Sequence, residues 1–267
     1  MPDILHYAFA QKALVAGMLA RALLAIMGVY VVLKKMSFIG DGIAHSAFGG
    51  VALGLLLGVN TTLAAVVFAW VTAMAIGISK KRTRTSEDAL IGIFFAFTMA
   101  LGVIFIGLNK NYNGDVFGYL FGDILAVTNS DVYTLAAVSV AVLMCVYVFY
   151  KELLFFSFDE EGARVSGIPV DFIYFLLLTL ITASIVASIK VVGIILAVAF
   201  LIIPASAALL LTRKFKAVMG IAVGISLVSV AVGFVFSYTL NVASGAAIVV
   251  TATVIFAIIT IFSRVKK

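Results

Sequence analysis

Long, continuous apolar runs constrain the fold of this 267-residue chain more than any other feature of its sequence. A run of about 20 apolar residues is long enough for a helix to cross a hydrocarbon core of ~30 Å. Hydrophobic residues make up 64% of the chain and charged residues 11%, a composition that excludes a water-soluble domain. The runs do not alternate with polar residues, which disfavours membrane-spanning strands. We therefore predict an all-α polytopic integral membrane protein with eight to nine transmembrane helices.

Nine spans account for these runs and make residues 1–267 a single transmembrane domain. One span contains Asp41 and His45 and ends near Gly58. The other eight are predicted at positions 13–33, 63–79, 89–108, 132–150, 170–188, 191–212, 217–238 and 242–262. The N-terminal residues contain no basic n-region, so we expect no cleavable signal peptide.

The basic residues support a count of nine. One side of the membrane then receives the basic clusters at 34–35, 80–84, 151–164, 213–216 and 264–267. The opposite connections contain only Lys12, Lys110 and Lys190, so the positive-inside rule predicts an outside N-terminus and a cytoplasmic C-terminus. An eight-span chain fits this pattern only if the N-terminal segment fails to cross. Because the net charge of +6 comes from these clusters, it is not a nucleic-acid signature, and the lone Cys145 excludes a disulfide framework.

An acid and a histidine lie inside the second apolar run. Asp41 and His45 are four residues apart, so they share one face of a helix, about 6 Å apart in rise. Measured from Lys35, His45 lies roughly 15 Å along the axis, about half of a ~30 Å core. A carboxylate and an imidazole on a face of small residues suit a divalent cation such as zinc or manganese. A buried Asp–His hydrogen bond that locks helix packing, or a proton relay, would use the same pair.

Residues 109–131 form the longest weakly apolar connection. They contain Asp115, Asp123 and Asp131 but only one base. The apolar part of this segment, 117–122, predicts a short re-entrant or interfacial helix. The three acids give the external segment a negative bias that favours docking of a cation or a basic partner. The alternative is that Asp131 caps span five and Asp123 ends a turn.

Residues 151–169 form a second unusual connection. Ser157 and Glu160 have the spacing of a capping box, and Gly167 and Pro169 provide a stop. We therefore predict one short cytoplasmic helix over about 158–166, too short and too charged to cross a membrane. Its apolar residues have no membrane to enter, which favours a protein groove as their binding partner. A solvated linker is the alternative.

Two residues, Arg21 and Pro204, are energetically unfavourable at their predicted positions inside membrane spans. Arg21 must snorkel outward or pair with a carboxylate, because a lone arginine in a span is expensive. Pro204 must kink span seven and leave a backbone carbonyl without its helical donor.

Several stretches resemble the membrane subunits of zinc/manganese ABC importers. Residues 34–46 resemble the signature that follows the first span in that family. Residues 158–169 look like its cytoplasmic coupling segment, 192–207 are similar to its late proline-containing span, and 121–124 fit its external segment. The match covers nearly the whole chain. Gly42 stands where the family often has alanine, a departure that we expect only to loosen local packing.

The resemblance implies a permease like those of type II ABC importers, in the plasma (inner) membrane of a prokaryote. It implies a homodimer, two cytoplasmic ATPase subunits and an extracytoplasmic metal-binding protein. Asp41 and His45 would line the metal pathway. The coupling segment would contact the ATPase. The residues that would make this contact are Phe158, Asp159, Glu160, Glu161, Ala163, Arg164 and Gly167.

The chain contains no G-x-x-x-x-G-K-[ST] loop, so we predict a non-enzymatic subunit that uses ATP only through a partner. The cargo would be zinc or manganese, with iron also compatible, since one carboxylate and one imidazole suit all three. No covalently bound cofactor is expected. The alternative is a self-sufficient secondary transporter, although one proline-broken span is found where inverted repeats predict a pair. A zinc hydrolase is disfavoured because His6 and His45 are the only histidines.

Overall fold

The computed structural model describes residues 8–109, 128–240, 242 and 244–265. Within these residues nine helices are long and apolar enough to cross a membrane, which confirms the nine-span prediction. The helices, in chain order, are α1 (Ala8–Leu33), α2 (Ile39–Leu57), α3 (Thr61–Arg82), α4 (Glu87–Leu108), α5 (Asn129–Val148), α6 (Tyr150–Phe158), α7 (Glu160–Val165), α8 (Val170–Val192), α9 (Ile194–Leu211), α10 (Phe215–Leu240) and α11 (Ser244–Val265). The two short helices α6 and α7 are the ones that do not span.

The long helices divide into an inner and an outer group. Most residues of α1, α2 and α8 are buried, whereas most of α4, α5 and α11 are not. The inner helix α2 packs against α3 and α4, and α1 packs against α8, α9 and α10. Large apolar side chains on the outer helices are exposed, among them Phe97, Tyr147 and Phe262. These are the surfaces that a bilayer would cover.

Polar side chains begin several of the spans. Ser86 is the cap of α4, because its hydroxyl accepts a hydrogen bond from the backbone N–H of Ala89 at 3.4 Å. At α5, Thr128 and Asp131 form a capping box. Asp131 accepts from the Thr128 backbone N–H at 2.9 Å and pairs with Lys190 at 2.7 Å. Asp131 therefore has the capping role that was the alternative to docking.

The connection at 151–169 differs from the prediction of one helix over 158–166. Phe158 ends α6, and Asp159 separates this helix from α7. The cap of α7 is Asp159, which accepts from the Gly162 backbone N–H at 2.9 Å. Ser157 does not form the predicted capping box, because its hydroxyl donates to the Leu153 carbonyl inside α6 at 2.6 Å. Gly167 does provide the stop, with a φ of +81° that favours glycine.

The spans α8 and α9 are joined by a single residue. Gly193 makes this turn with a φ of +87°. Lys190 lies in the last turn of α8, which runs four residues beyond the predicted end at 188. Pro204 lies inside α9, which continues to Leu211. Because proline has no N–H, the Phe200 carbonyl lacks its helical donor, as predicted, while the kink itself stays a prediction.

Arg21 is buried in the contact between α1 and α9. It is 2% exposed, and its guanidinium carbon lies 5.1 Å from the centre of the Phe200 ring. Neither snorkelling nor an ion pair with a described carboxylate is seen, so this prediction was wrong for the part of the chain that the structure covers. The two helices approach closely because Gly28 has no side chain to meet the Leu201 carbonyl.

Candidate metal pathway

Asp41 and His45 lie together in an open groove of about 430 Å³ between α2 and α4. The groove is lined by Phe38, Asp41, His45, Asp88, Ile91, Gly92 and Phe95. The structure thus brings the two predicted site residues to one surface. Carboxylate and imidazole groups in an otherwise apolar groove are the oxygen and nitrogen donors that divalent transition metals accept.

The imidazole of His45 is held by packing. Its ring meets the Phe95 ring edge to face, with 4.7 Å between the ring centres. Its Nδ1 atom is buried and has no hydrogen-bond partner within the described chain. The hydrogen bond to Asp41 that a purely structural role would need is therefore not formed. A buried polar atom without a partner is costly, so the ring is available to a ligand.

The pair lies closer to the start of its helix than the sequence predicts. The estimate of half the core assumed that the helix runs on from Lys35. Lys35 instead has a φ of +58° in the turn after α1, and α2 begins only at Ile39. His45 is six residues into this helix, about 9 Å from its first residue.

Asp88 is a groove residue that the sequence analysis missed. It follows Ser86 at the start of α4, a position in which an acid favours the helix dipole, and no sequence pattern links it to α2. Among the described residues its exposed carboxylate makes no ion pair or hydrogen bond. Its neighbour Glu87 faces another cavity and accepts a hydrogen bond from Tyr174 at 3.1 Å. Two adjacent acids therefore serve different surfaces.

Gly42 tightens the contact between α2 and α4. A Cβ atom at this position would lie 2.9 Å from the Cγ2 atom of Ile91, a residue of the groove. The expectation that glycine here loosens the packing was therefore wrong, because glycine permits an approach that alanine would prevent.

One copy of the chain offers an incomplete set of metal ligands. No group of three or more His, Cys, Asp or Glu residues able to hold a metal occurs within the described residues. Asp41, His45 and Asp88 share a groove, yet they do not converge on one point. Divalent transition metals bound by proteins usually have four or more ligands, so further donors must come from elsewhere.

The end of the bundle that contains Lys34 has a second, charged cavity of about 570 Å³. Lys34 lies 2.7 Å from Glu160, and Lys81 lies 2.7 Å from Asp171. Arg164 of α7 also reaches Asp171, at 3.5 Å. These ion pairs tie α7 to α1, to α8 and, through Asp171, to α3.

The predicted coupling residues divide by exposure. Ala163 is fully buried within the chain, so it cannot contact a partner, contrary to the prediction. Val165 is 89% exposed and Phe158 is 60% exposed. Glu161 is exposed as well, while Glu160 and Arg164 are engaged in the ion pairs just described. Phe158 and Val165 are therefore the apolar side chains of these two short helices that are most available to a partner.

The predicted external docking segment lies mostly outside the described residues. Asp115, Asp123 and the proposed interfacial helix at 117–122 belong to that part.

Comparison with known proteins places the chain in a family. The profile described as the ABC 3 transport family matches residues 6–263. The chain belongs to the ABC 3 transport family. The manganese transport system membrane protein MntC of Listeria monocytogenes is 38% identical to it over 263 residues, with 98% of this chain and 94% of that protein covered. The high-affinity zinc uptake system membrane protein ZnuB of Haemophilus influenzae is 34% identical, with 94% and 96% covered.

A solved structure shares the fold of this ABC 3 family chain. It is PsaBC from Streptococcus pneumoniae in complex with Fab, which superposes with a TM-score of 0.86 at 35% identity. The match covers 97% of this chain and 93% of that one. The family resemblance read from the sequence is confirmed, and these relatives give no support to a secondary transporter.

Proposed function

We propose that this chain is the membrane-spanning permease subunit of an ATP-driven importer of divalent metal cations. Manganese and zinc are the leading cargoes, because relatives named for each match almost the full chain, and iron is chemically compatible. The observation that carries the proposal is the groove in which Asp41, His45 and Asp88 meet an otherwise apolar lining. Ionisable groups inside a membrane span are costly and mark transport paths.

The incomplete ligand set of one copy supports a homodimer. Two copies related by a two-fold axis bring the same surface patch together. Two Asp41–His45 pairs would then supply four ligands, a number that zinc accepts in tetrahedral geometry and manganese can complete with water. The groove is open on one side, which leaves room for the second copy.

The first experiment replaces Asp41 by Ala and His45 by Ala and measures Mn²⁺ and Zn²⁺ accumulation in cells. We expect accumulation to fall to the level of a strain without the permease, with normal amounts of protein in the membrane. Glu87→Gln is the matched control, because this acid lies outside the groove lining and accepts its hydrogen bond from Tyr174. Normal uptake by both groove variants would reject the site. Two His45 side chains far from the dimer axis would reject the shared site alone.

The surface of Phe158 and Val165 on α6 and α7 is proposed to enter a groove of a cytoplasmic ATPase subunit. Both residues are exposed, and apolar side chains on a short rigid element suit such a groove. We expect Val165→Asp to prevent co-purification of the ATPase, whereas Val165→Leu should retain it. An importer in which Val165→Asp still assembles and transports would contradict this role and revive the secondary-transporter alternative.

The external segment is proposed to meet an extracytoplasmic metal-binding protein through Asp115 and Asp123. Their negative charge would attract a basic docking edge. Asp131 is left out of this role because its two oxygens serve the cap and Lys190. We expect Asp115→Asn with Asp123→Asn to slow uptake most at low salt, with the N-terminus outside and the C-terminus in the cytoplasm. Equal uptake at every ionic strength would contradict the docking role.

A further inference from the structure

We infer that Lys34 is a positioning residue that transmits movement of α7 to α2, the helix that contains Asp41 and His45. This inference rests on the proposed function, in which the ATPase contacts the chain beside α7. It adds the route by which that contact reaches the metal groove.

Lys34 follows α1 and contacts both short cytoplasmic helices. Its ammonium donates to Glu160, the first residue of α7, at 2.7 Å. The same nitrogen lies 3.9 Å from the centre of the Phe156 ring and 3.5 Å from the Phe156 carbonyl oxygen in α6. Three contacts to two elements fix the ammonium, so a displacement of α7 must displace Lys34 or break them.

Lys34 differs from the other bases of the charged cavity in its burial. Its side chain is 14% exposed, whereas that of Lys81 is 33% and that of Arg164 is 62%. Ion pairs between exposed side chains contribute little because water screens them. A partly buried ammonium over an aromatic face interacts more strongly. Lys81 also lies over an aromatic ring, 4.6 Å from the centre of Phe175, but its side chain is more exposed, so the contact at Lys34 is the best suited of these to transmit force.

The connection from Lys34 to α2 is short and held by its own backbone. The N–H of Met36 donates to the Val31 carbonyl at 3.0 Å, and the N–H of Ile39 donates to Met36 at 2.9 Å. Lys35 completes the turn with a φ of +58°, which is uncommon for a residue other than glycine. Met36 and Ile39 are both buried, and Asp41 follows in the first turn of α2. The segment between Lys34 and the metal groove is therefore short and held in place by these hydrogen bonds.

A role in positioning predicts a different result from a role in stability or docking. If the Lys34 contact only stabilises the bundle, its loss lowers the amount of folded protein and leaves each folded transporter at full efficiency. If it helps to bind the ATPase, its loss reduces co-purification. If it transmits movement, the ATPase stays bound and hydrolyses ATP, but less metal crosses for each ATP consumed.

The experiment uses the permease purified with its own ATPase and reconstituted into liposomes, with Mn²⁺ uptake and ATP hydrolysis measured together. The variants are Lys34→Gln, Glu160→Gln, the two combined, and Lys34→Arg. Lys81→Gln is the matched control, since it removes one charge from the same cavity at an exposed pair. We expect Lys34→Gln and Glu160→Gln each to lower Mn²⁺ transported per ATP about fivefold, with retained hydrolysis.

The combined variant should be no worse than Lys34→Gln, because both remove one interaction. Lys34→Arg should keep most of the coupling, since it retains the charge over the Phe156 ring, and Lys81→Gln should resemble the natural protein. An unchanged ratio in Lys34→Gln, or an additive loss in the combined variant, would overturn the inference. Loss of the ATPase from the Lys34→Gln complex would also overturn it. Failure of the Val165 surface to bind the ATPase would instead count against the proposed function.

Discussion

The groove of Asp41 and His45 and the cavity beside Lys34 both contain charged side chains, yet the two regions satisfy them differently. In the cavity, Lys34, Lys81 and Arg164 each have a carboxylate within 4.0 Å. In the groove, Asp88 has no ion pair among the described residues, and His45 Nδ1 has no hydrogen bond there. Charges with protein partners hold helices together, whereas groups without them can serve a passing cation. The adjacent acids Glu87 and Asp88 show this contrast within one turn of α4. Glu87 accepts a hydrogen bond from Tyr174, whereas Asp88 has no such partner among the described residues.

The strongest test of this difference between the two regions is to substitute Asp88 and Glu87 one at a time. We expect Asp88→Asn to reduce metal uptake by roughly 10- to 100-fold, the loss typical when a group supporting a metal site is changed. Glu87→Gln should leave uptake near normal and lower thermal stability, because it weakens the hydrogen bond from Tyr174. Uptake of Mn²⁺ and the unfolding midpoint in detergent measure the two effects. Equal uptake by both variants would remove Asp88 from the pathway.

The shape of the groove offers a second test. Gly42→Ala should destabilise the contact of α2 with α4 by about 1–3 kcal/mol, because its Cβ would overlap Ile91. Gly107→Ala in α4 is the matched control, since a Cβ there meets no atom within 4 Å. The measurement is the unfolding midpoint of the purified variants. A Gly42→Ala protein as stable as Gly107→Ala would show that the two helices can separate without cost.

A smaller effect is expected where a paired group only caps a helix. Thr128→Ala removes half of the capping box with Asp131 and should cost about 1 kcal/mol. Thr128→Ser keeps the hydroxyl and should restore most of this stability. Because the change lies outside the groove, uptake per folded molecule should be unchanged in both variants. A loss of uptake without a loss of stability would mean that this end of α5 takes part in transport.

The smallest effect is expected at a hydrogen bond between two spans. Trp70 donates to the Thr179 hydroxyl at 3.1 Å and so joins α3 to α8. Trp70→Phe should lower stability by about 0.6 kcal/mol, the average for such bonds between membrane helices. Thr179→Val should cost a similar amount, and the double variant little more than either. Additive losses would show that the two side chains act independently.

The sequence predicts those features that depend on composition and near neighbours in the chain. Nine spans follow from hydropathy, the cap at Ser86 follows from a local hydrogen bond, and the shared face of Asp41 and His45 follows from helical spacing. Each needs only a local rule.

The features that the sequence does not predict depend on how distant segments pack. Asp88 reaches the groove of α2 through the packing of α4 on α2, which is close at Gly42. Ala163 appears available for a partner until α7 folds onto the bundle and buries it. Ser157 and Asp159 are both suitable cap residues by sequence. Asp159 is the cap of α7 because α6 continues to Phe158 and includes Ser157. Pattern alone does not rank such competing contacts.

The one-residue turn at Gly193 also bears on how the chain enters the membrane during synthesis. A single residue, Gly193, joins α8 to α9. No loop is therefore available to lie outside the bilayer while the two spans insert one after the other. We expect the two spans to insert as a hairpin, which carries Lys190 across as it forms. The pairing of Lys190 with Asp131 at 2.7 Å would then hold the translocated end against α5. The order of insertion would then follow from a connection of one residue between two spans.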